Sequence, residues 1–224
     1  DTLEGNLDPS DFSESLTKDT IETIYAIKEV QNLNGLAACH RYIISNAQST
    51  LHVVELMTLF RLCGWERSLS SIDIIPLFET ITDLENAEEI MQVLYSSSSY
   101  RGHLEQRQLK QTIMLGFSDG TKDGGYLMAN WGIFKAKERL TEVSRKYGVT
   151  VLFFDGRGGP PARGGGKTHQ FYASLGPTIE DKEVQLTIQG QTISSNFGTL
   201  DSSQYNLEQL ISSGILNRLN ETNL

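Results

Sequence analysis

The sequence predicts an α/β protein of about five βα units with additional helices, forming part of a (β/α)8, TIM-type barrel. Five short apolar, β-branched runs carry this expectation: RYIIS, SIDIIPLFE, QTIMLGFSD, VTVLFFD and EVQLTIQG, each reading as a strand buried on both faces. Their closing polar residues, Ser45, Glu79, Asp119, Asp155 and Gln189, lie 34, 40, 36 and 34 residues apart, the cadence of strand, helix and parallel strand. That spacing fits a doubly wound sheet as well as a barrel. The barrel is favoured because a reactive-looking polar residue closes nearly every strand at its carboxyl end, where barrel enzymes assemble their sites. Five strands are too few to close a barrel, so the others are expected from sequence outside this chain.

Residues 1–15 are acidic, contain Pro9 and keep no period, so they read as a docking leader or a linker. From Leu16 to Asn32 the apolar positions Ile21, Ile24, Tyr25, Ile27 and Val30 have helical spacing. Between the strands, helical signals run from Thr50 to Cys63, from Asp83 (a capping residue) to Ser96, from Gly124 to Tyr147, and from Lys167 to Leu175. Trp65, Trp131, Phe134 and the stretch from Trp131 to Leu140 read as packing. The organisation expected is a leader and docking helix over 1–34, the βα units over 35–196, and a polar, helical segment over 197–224.

With 224 residues, 38% of them hydrophobic, the chain can bury a core without disulfide or metal staples. A net charge of −9 removes the basic field that nucleic acids and anionic membranes attract. Two cysteines, Cys39 and Cys63, make no disulfide framework or zinc cluster and read as small apolar side chains in a reducing compartment. No run is long enough to span a bilayer and no secretory leader opens the chain, so a cytoplasmic location is expected. Starting at Asp1 without methionine suits a processed protein or a piece of a longer one.

The most unusual segment follows the fourth strand. Five of the ten positions from 156 to 165 are glycine, and Arg157, Arg163 and Lys167 are embedded in or beside them. Glycine permits close backbone approach to a ligand, and guanidinium forks suit phosphate and carboxylate oxygens, so a mobile anion-binding loop is expected. Gly166-Lys167-Thr168 ends like a P-loop, but the required earlier glycine is Pro161, preceded by Pro160, and neither has an N–H to offer phosphate. Glu79 and Asp119 each end a strand; facing one cavity they would bind Mg2+ or Mn2+, whereas singly they would pair with arginine or cap a helix. An EF-hand beginning at Asp119 fails because its twelfth position is Asn130. Lys122 either reaches an anionic ligand or is solvated. His40, His52, His103 and His169 are scattered, with only His169 near the glycine-rich loop.

The series IIPLFETITDLENA, MLGFSDGTKDGG, NWGIFKAKERL, FFDGRGGPPARGGG and TIQGQTIS resembles, in order and spacing, the central-to-C-terminal catalytic region of phosphoenolpyruvate carboxylase, from about Gly35 to Asn196. The resemblance covers about a quarter of a family member and accounts for the missing methionine and the unclosed barrel. It implies an enzyme that carboxylates phosphoenolpyruvate with bicarbonate to oxaloacetate and phosphate, in a homotetrameric parent. By motif, Glu79 and Asp119 match the metal ligands for Mg2+ or Mn2+. Arg157 matches a phosphate-gripping arginine, and Arg163 the second arginine of a mobile loop linked to the bicarbonate half-reaction and to a dicarboxylate inhibitor. Gly158, Gly159 and Gln189 fall among the substrate-binding positions, and Asp155 and Lys122 among the catalytic ones. Asp155 stands where the family usually has histidine and, when ionised, cannot donate a hydrogen bond; orienting Arg157 or Lys167 is the other role open to it. Ala162 replaces a glycine, and Ile188 a glutamate. A catalytic histidine and further arginines belong to family segments outside this chain, so the 224 residues alone are expected to be inactive. The competing expectation is a non-catalytic phosphate- or nucleotide-binding module that uses the glycine-rich loop.

Overall fold

The computed structural model describes residues 5–66, 69–156, 167–188 and 190–221. Its frame is one five-stranded sheet of β1 (Arg41–Ile44), β2 (Asp73–Phe78), β3 (Lys110–Leu115), β4 (Thr150–Asp155) and β5 (Val184–Leu186). Every neighbouring pair is parallel and the spatial order is the chain order. A doubly wound sheet reverses its order at a switch point; among the described strands the order does not reverse. The strand residues that join the helix-packed core, Ile74, Phe78, Ile113, Leu115, Val151 and Phe153, all lie on one face by the period-2 alternation. Ile75, Leu152 and Phe154 are also buried but belong to the opposite face and stand outside that core.

That opposite face is concave. Four strand spacings of about 4.8 Å would separate β1 from β5 by roughly 19 Å in a flat sheet. Arg41 Nη1 on β1 nevertheless donates to Gln185 Oε1 on β5 at 2.5 Å, so the sheet curls until its outer strands face each other. At the amino ends of the strands, Asp73 takes Arg107 Nε at 2.6 Å and Arg41 Nε at 3.8 Å, and Lys110 meets Glu183 at 3.1 Å. These pairs brace the end remote from the carboxyl-terminal loops.

The helices are α1 (Ser15–Asn34), α2 (Thr50–Leu62), α3 (Ile81–Ser96), α4 (Ser98–Gln106), α5 (Ser118–Lys146), α6 (Thr168–Ala173), α7 (Gly190–Phe197) and α8 (Leu200–Glu221). The leader docks: Leu7 N–H donates to Leu62 O, and Tyr25 of α1 donates to Leu7 O at 2.8 Å. Several expectations change. Asp83 does not open α3 but sits at its third position, where Thr80 is the N-cap and the two side chains form a capping box. The α5 helix begins six residues before the expected Gly124 and kinks at Gly125, whose φ of 79° suits glycine. α4, with only Tyr100, His103 and Leu104 buried, escapes the periodicity because it is short and polar. Burial on both faces holds for the middle strands but not for β1 and β5, each with a neighbour on one side only. Cys63 is buried and Cys39 half-buried, both as free thiols. No helix among the described residues is long and apolar enough to cross a membrane.

Candidate functional site at the carboxyl ends of the strands

Backbone hydrogen bonds draw the loops after β1, β2 and β3 together. Ala47 N–H donates to Leu77 O, and Gly116 N–H to Phe78 O at 2.8 Å, so both neighbouring chains hold the end of β2 just before Glu79. The Glu79 and Thr80 N–H groups donate to Asp83 Oδ2 at 3.2 and 3.0 Å, which fixes the turn into α3. Glu79 is left half-buried, with Oε2 accepting a single 3.3 Å hydrogen bond from Asn46 N–H. Its carboxylate is held at the mouth of the sheet and keeps lone pairs for a ligand.

Asp119 reaches the same place through glycine. A Cβ on Gly116 would lie 3.2–3.3 Å from Glu79 Cα and Cγ, and one on Gly120 would lie 3.4 Å from Glu79 O. The β3–α5 turn therefore packs directly on Glu79, with Asp119 between the two glycines. Its side chain is 49% exposed and accepts a 2.9 Å hydrogen bond from Lys122 Nζ. Lys122 itself is 77% exposed and points to solvent from the helix surface, its described partner being Asp119. One turn on, Asp123 Oδ2 accepts from Ile81 N–H at 3.1 Å, tying the start of α3 to α5.

Asp155 is placed differently. The register aligns it with Leu115 and Leu186, and Leu115 with Phe78, so its side chain lies in the row that faces the helices. It is 1% exposed. Lys137 Nζ, equally buried on α5, lies 2.9 Å from both of its carboxylate oxygens, and Tyr172 Oη on α6 donates to Oδ2 at 2.7 Å. The rings of Phe153, Phe171 and Tyr172 surround the ammonium at 5.5–5.8 Å. Burial first, and then the Asp155 charge, hold the Tyr172 phenol protonated well above its ordinary range. Lys167, the one of its two expected partners among the described residues, is not the partner found for Asp155; Arg157 lies outside the described residues, as do Gly158, Gly159, Arg163 and Gln189.

The structure thus packs the turn that carries Asp119 on Glu79 and sets Asp155 in the helix-facing row. Sequence reasoning passed over Lys137, counting its helix as packing. A signal was present, since Lys137 shares the helix face of Ile133, Ala136 and Leu140, where a lysine needs a buried partner.

The chemistry of the donors at the strand ends suits a hard divalent cation. Two carboxylates are what Mg2+ commonly takes from a protein, with water and substrate oxygens completing its shell. A larger protein-only set is not formed, as the described residues contain no group of three acidic, histidine or cysteine side chains placed to hold a metal.

A family model described as phosphoenolpyruvate carboxylase matches residues 6–223. The chain is 37% identical over 210 residues to the phosphoenolpyruvate carboxylase of Nitrosomonas eutropha, a match covering 92% of this chain and 22% of that protein. It is 38% identical over 207 residues to that of Corynebacterium efficiens, covering 90% and 22%, and 33% identical over 195 residues to that of Gloeobacter violaceus, covering 86% and 21%. The chain spans about a fifth of the length of these curated relatives. On a match that runs nearly its whole length, this chain belongs to the phosphoenolpyruvate carboxylase family.

Proposed function

We propose that the chain is a section of a (β/α)8 barrel that contributes part of the active site of a phosphoenolpyruvate carboxylase, acting in the cytoplasm on phosphoenolpyruvate and bicarbonate. The observation that carries this reading is the pairing of Glu79 with the Asp119 turn at neighbouring strand ends of a curled, sequentially ordered sheet. In the reaction, a bicarbonate oxygen attacks the phosphorus of phosphoenolpyruvate and the bond from phosphorus to the enol oxygen breaks, giving carboxyphosphate and pyruvate enolate. Carboxyphosphate then separates into CO2 and phosphate, and the enolate carbon bonds to CO2 to give oxaloacetate.

Negative charge gathers on the phosphoryl and enolate oxygens throughout, and the residues assigned here answer it. Glu79 and Asp119 would hold Mg2+ or Mn2+, and a bound cation would supply Lewis-acid stabilisation of that charge. Arg157 grips the phosphoryl group and Arg163 serves the bicarbonate half-reaction and the dicarboxylate inhibitor, with Gly158, Gly159 and Gln189 lining the substrate. Lys122, exposed beside Asp119, would be free to turn toward an anionic ligand if a cation held this carboxylate.

The test is a coupled assay of oxaloacetate. The 224-residue chain alone is expected to turn over no phosphoenolpyruvate above a protein-free blank. The full-length enzyme carrying this segment is expected to turn it over with a Mg2+ requirement that Asp119→Asn weakens sharply. An unchanged dependence on Mg2+ in that variant overturns the ligand assignment. Tight binding of ATP or inorganic phosphate by the isolated chain would favour the phosphate-binding module instead.

A further inference from the structure

Asp155, Lys137 and Tyr172 occupy a part of the molecule that the proposed chemistry does not use. Asp155 is the last residue of β4, two positions before Arg157, and Tyr172 stands in α6, the helix that takes up the chain after the glycine-rich segment. Lys137 comes from the middle of α5 and lies beneath both. One ion pair and one hydrogen bond to the same carboxylate therefore join the residue before the segment to the helix after it.

An apolar trio of similar volume would pack here at no desolvation cost, so general cohesion is a poor account of the charges. What a buried ion pair adds is direction. The ammonium sits 2.9 Å from both carboxylate oxygens and the phenol donates to one of them at 2.7 Å, so a rotation of α6 or a slide along β4 breaks contacts that water cannot replace. Close packing continues at the next residue, where a Cβ on Gly156 would meet Met114 Cε at 2.9 Å and Leu115 O at 3.4 Å.

We infer that Asp155, Lys137 and Tyr172 are positioning residues, a buried clamp that fixes where the glycine-rich segment leaves β4 and where it rejoins the fold at α6. The clamp rests on the catalytic reading only for what the segment is used for. Asp155 then acts through Arg157 and its neighbours and not on the substrate.

Limited trypsin digestion of the intact 224-residue chain tests this without any assay of activity, because Arg157, Arg163 and Lys167 are cleavage sites at the segment, while Lys18 and Lys28 in α1 are remote controls. Tyr172→Phe keeps the ring and loses the hydroxyl. It is expected to speed cleavage after Arg163 and Lys167 about tenfold, with the α1 sites unchanged within about twofold. The double variant Asp155→Asn with Lys137→Gln, which replaces the ion pair by a neutral hydrogen-bonded pair, is expected to cleave more slowly there than Asp155→Asn alone. Segment cleavage that does not change in Tyr172→Phe, or that rises in proportion to the α1 sites, overturns the inference. A failure of the metal assignment leaves these digestion rates untouched, so the two ideas fail separately.

Discussion

Glu79 and Asp119 on the one hand, and Asp155 on the other, hold the same place in the sequence pattern and opposite places in the molecule. Each is an acidic residue closing a buried strand. Glu79 lies one residue beyond Phe78 and Asp119 four beyond Leu115, both past the last rung of the sheet, whereas Asp155 is on that rung, in line with Leu115 and Leu186. The parity of a strand decides which face a side chain meets, so one residue separates Glu79 from the helix-packed row of Asp155, whereas Asp119 has left the strand and stands in the first turn of α5. At the mouth, the carboxylates keep lone pairs and partial exposure. In the core, the carboxylate is bound by an ammonium and a phenol, and the rings of Phe153, Phe171 and Tyr172 surround that ammonium.

Exchanging charge for neutrality on each side should break this contrast in different ways. The largest effect is expected for Asp119→Asn in the full-length enzyme, where steady-state kinetics should show activity falling about a hundredfold or more as a ligand to the charge-stabilising cation is lost. Urea unfolding of that variant should barely change. Lys137→Met should do the reverse, costing about 3–5 kcal/mol in urea unfolding because the Asp155 charge stays buried without its partner. Adding Asp155→Leu to it should restore most of the loss.

A smaller effect concerns alkaline pH. Burial holds the phenols of Tyr95, Tyr100 and Tyr172 protonated above their ordinary value of 10.0 in the folded chain. Unfolded, they release protons at that value, so stability is insensitive to these groups below pH 10 and falls as pH rises above it. Tyr172→Phe should make that fall shallower between pH 10 and 11, by up to about 1.4 kcal/mol per pH unit in urea titrations. The smallest change belongs to Lys122→Ala. Its pair with Asp119 is exposed, so the loss in stability should stay below about 1 kcal/mol.

The parallel α/β sheet was legible because the β-branched runs and their cadence are set by burial and by the length of a crossover, both local properties of the chain. The strand cores and the α2 and α3 helices follow from that pattern. The curl of the sheet was not legible, since it depends on Arg41 meeting Gln185 across 144 positions. Nor was the helix start at Ser118, because Gly120, Gly124 and Gly125 read as breakers until the close packing of Gly120 and Gly124 on Glu79 and Ile81 is seen. The placing of Glu79 and the Asp119 turn beyond the carboxyl ends of β2 and β3 was legible in the motifs around them. The partners of Asp155 were not, because Lys137 and Tyr172 lie 18 and 17 residues away on two different helices.

The contrast between mouth and core comes down to which of these carboxylates meets a cation. Mn2+ added to the 15N-labelled chain should broaden the amide signals of residues 46–47, 79–80 and 116–123 most strongly, and the double variant Glu79→Gln, Asp119→Asn should abolish the broadening. Broadening that survives the double variant, or that centres on Asp155, would contradict it.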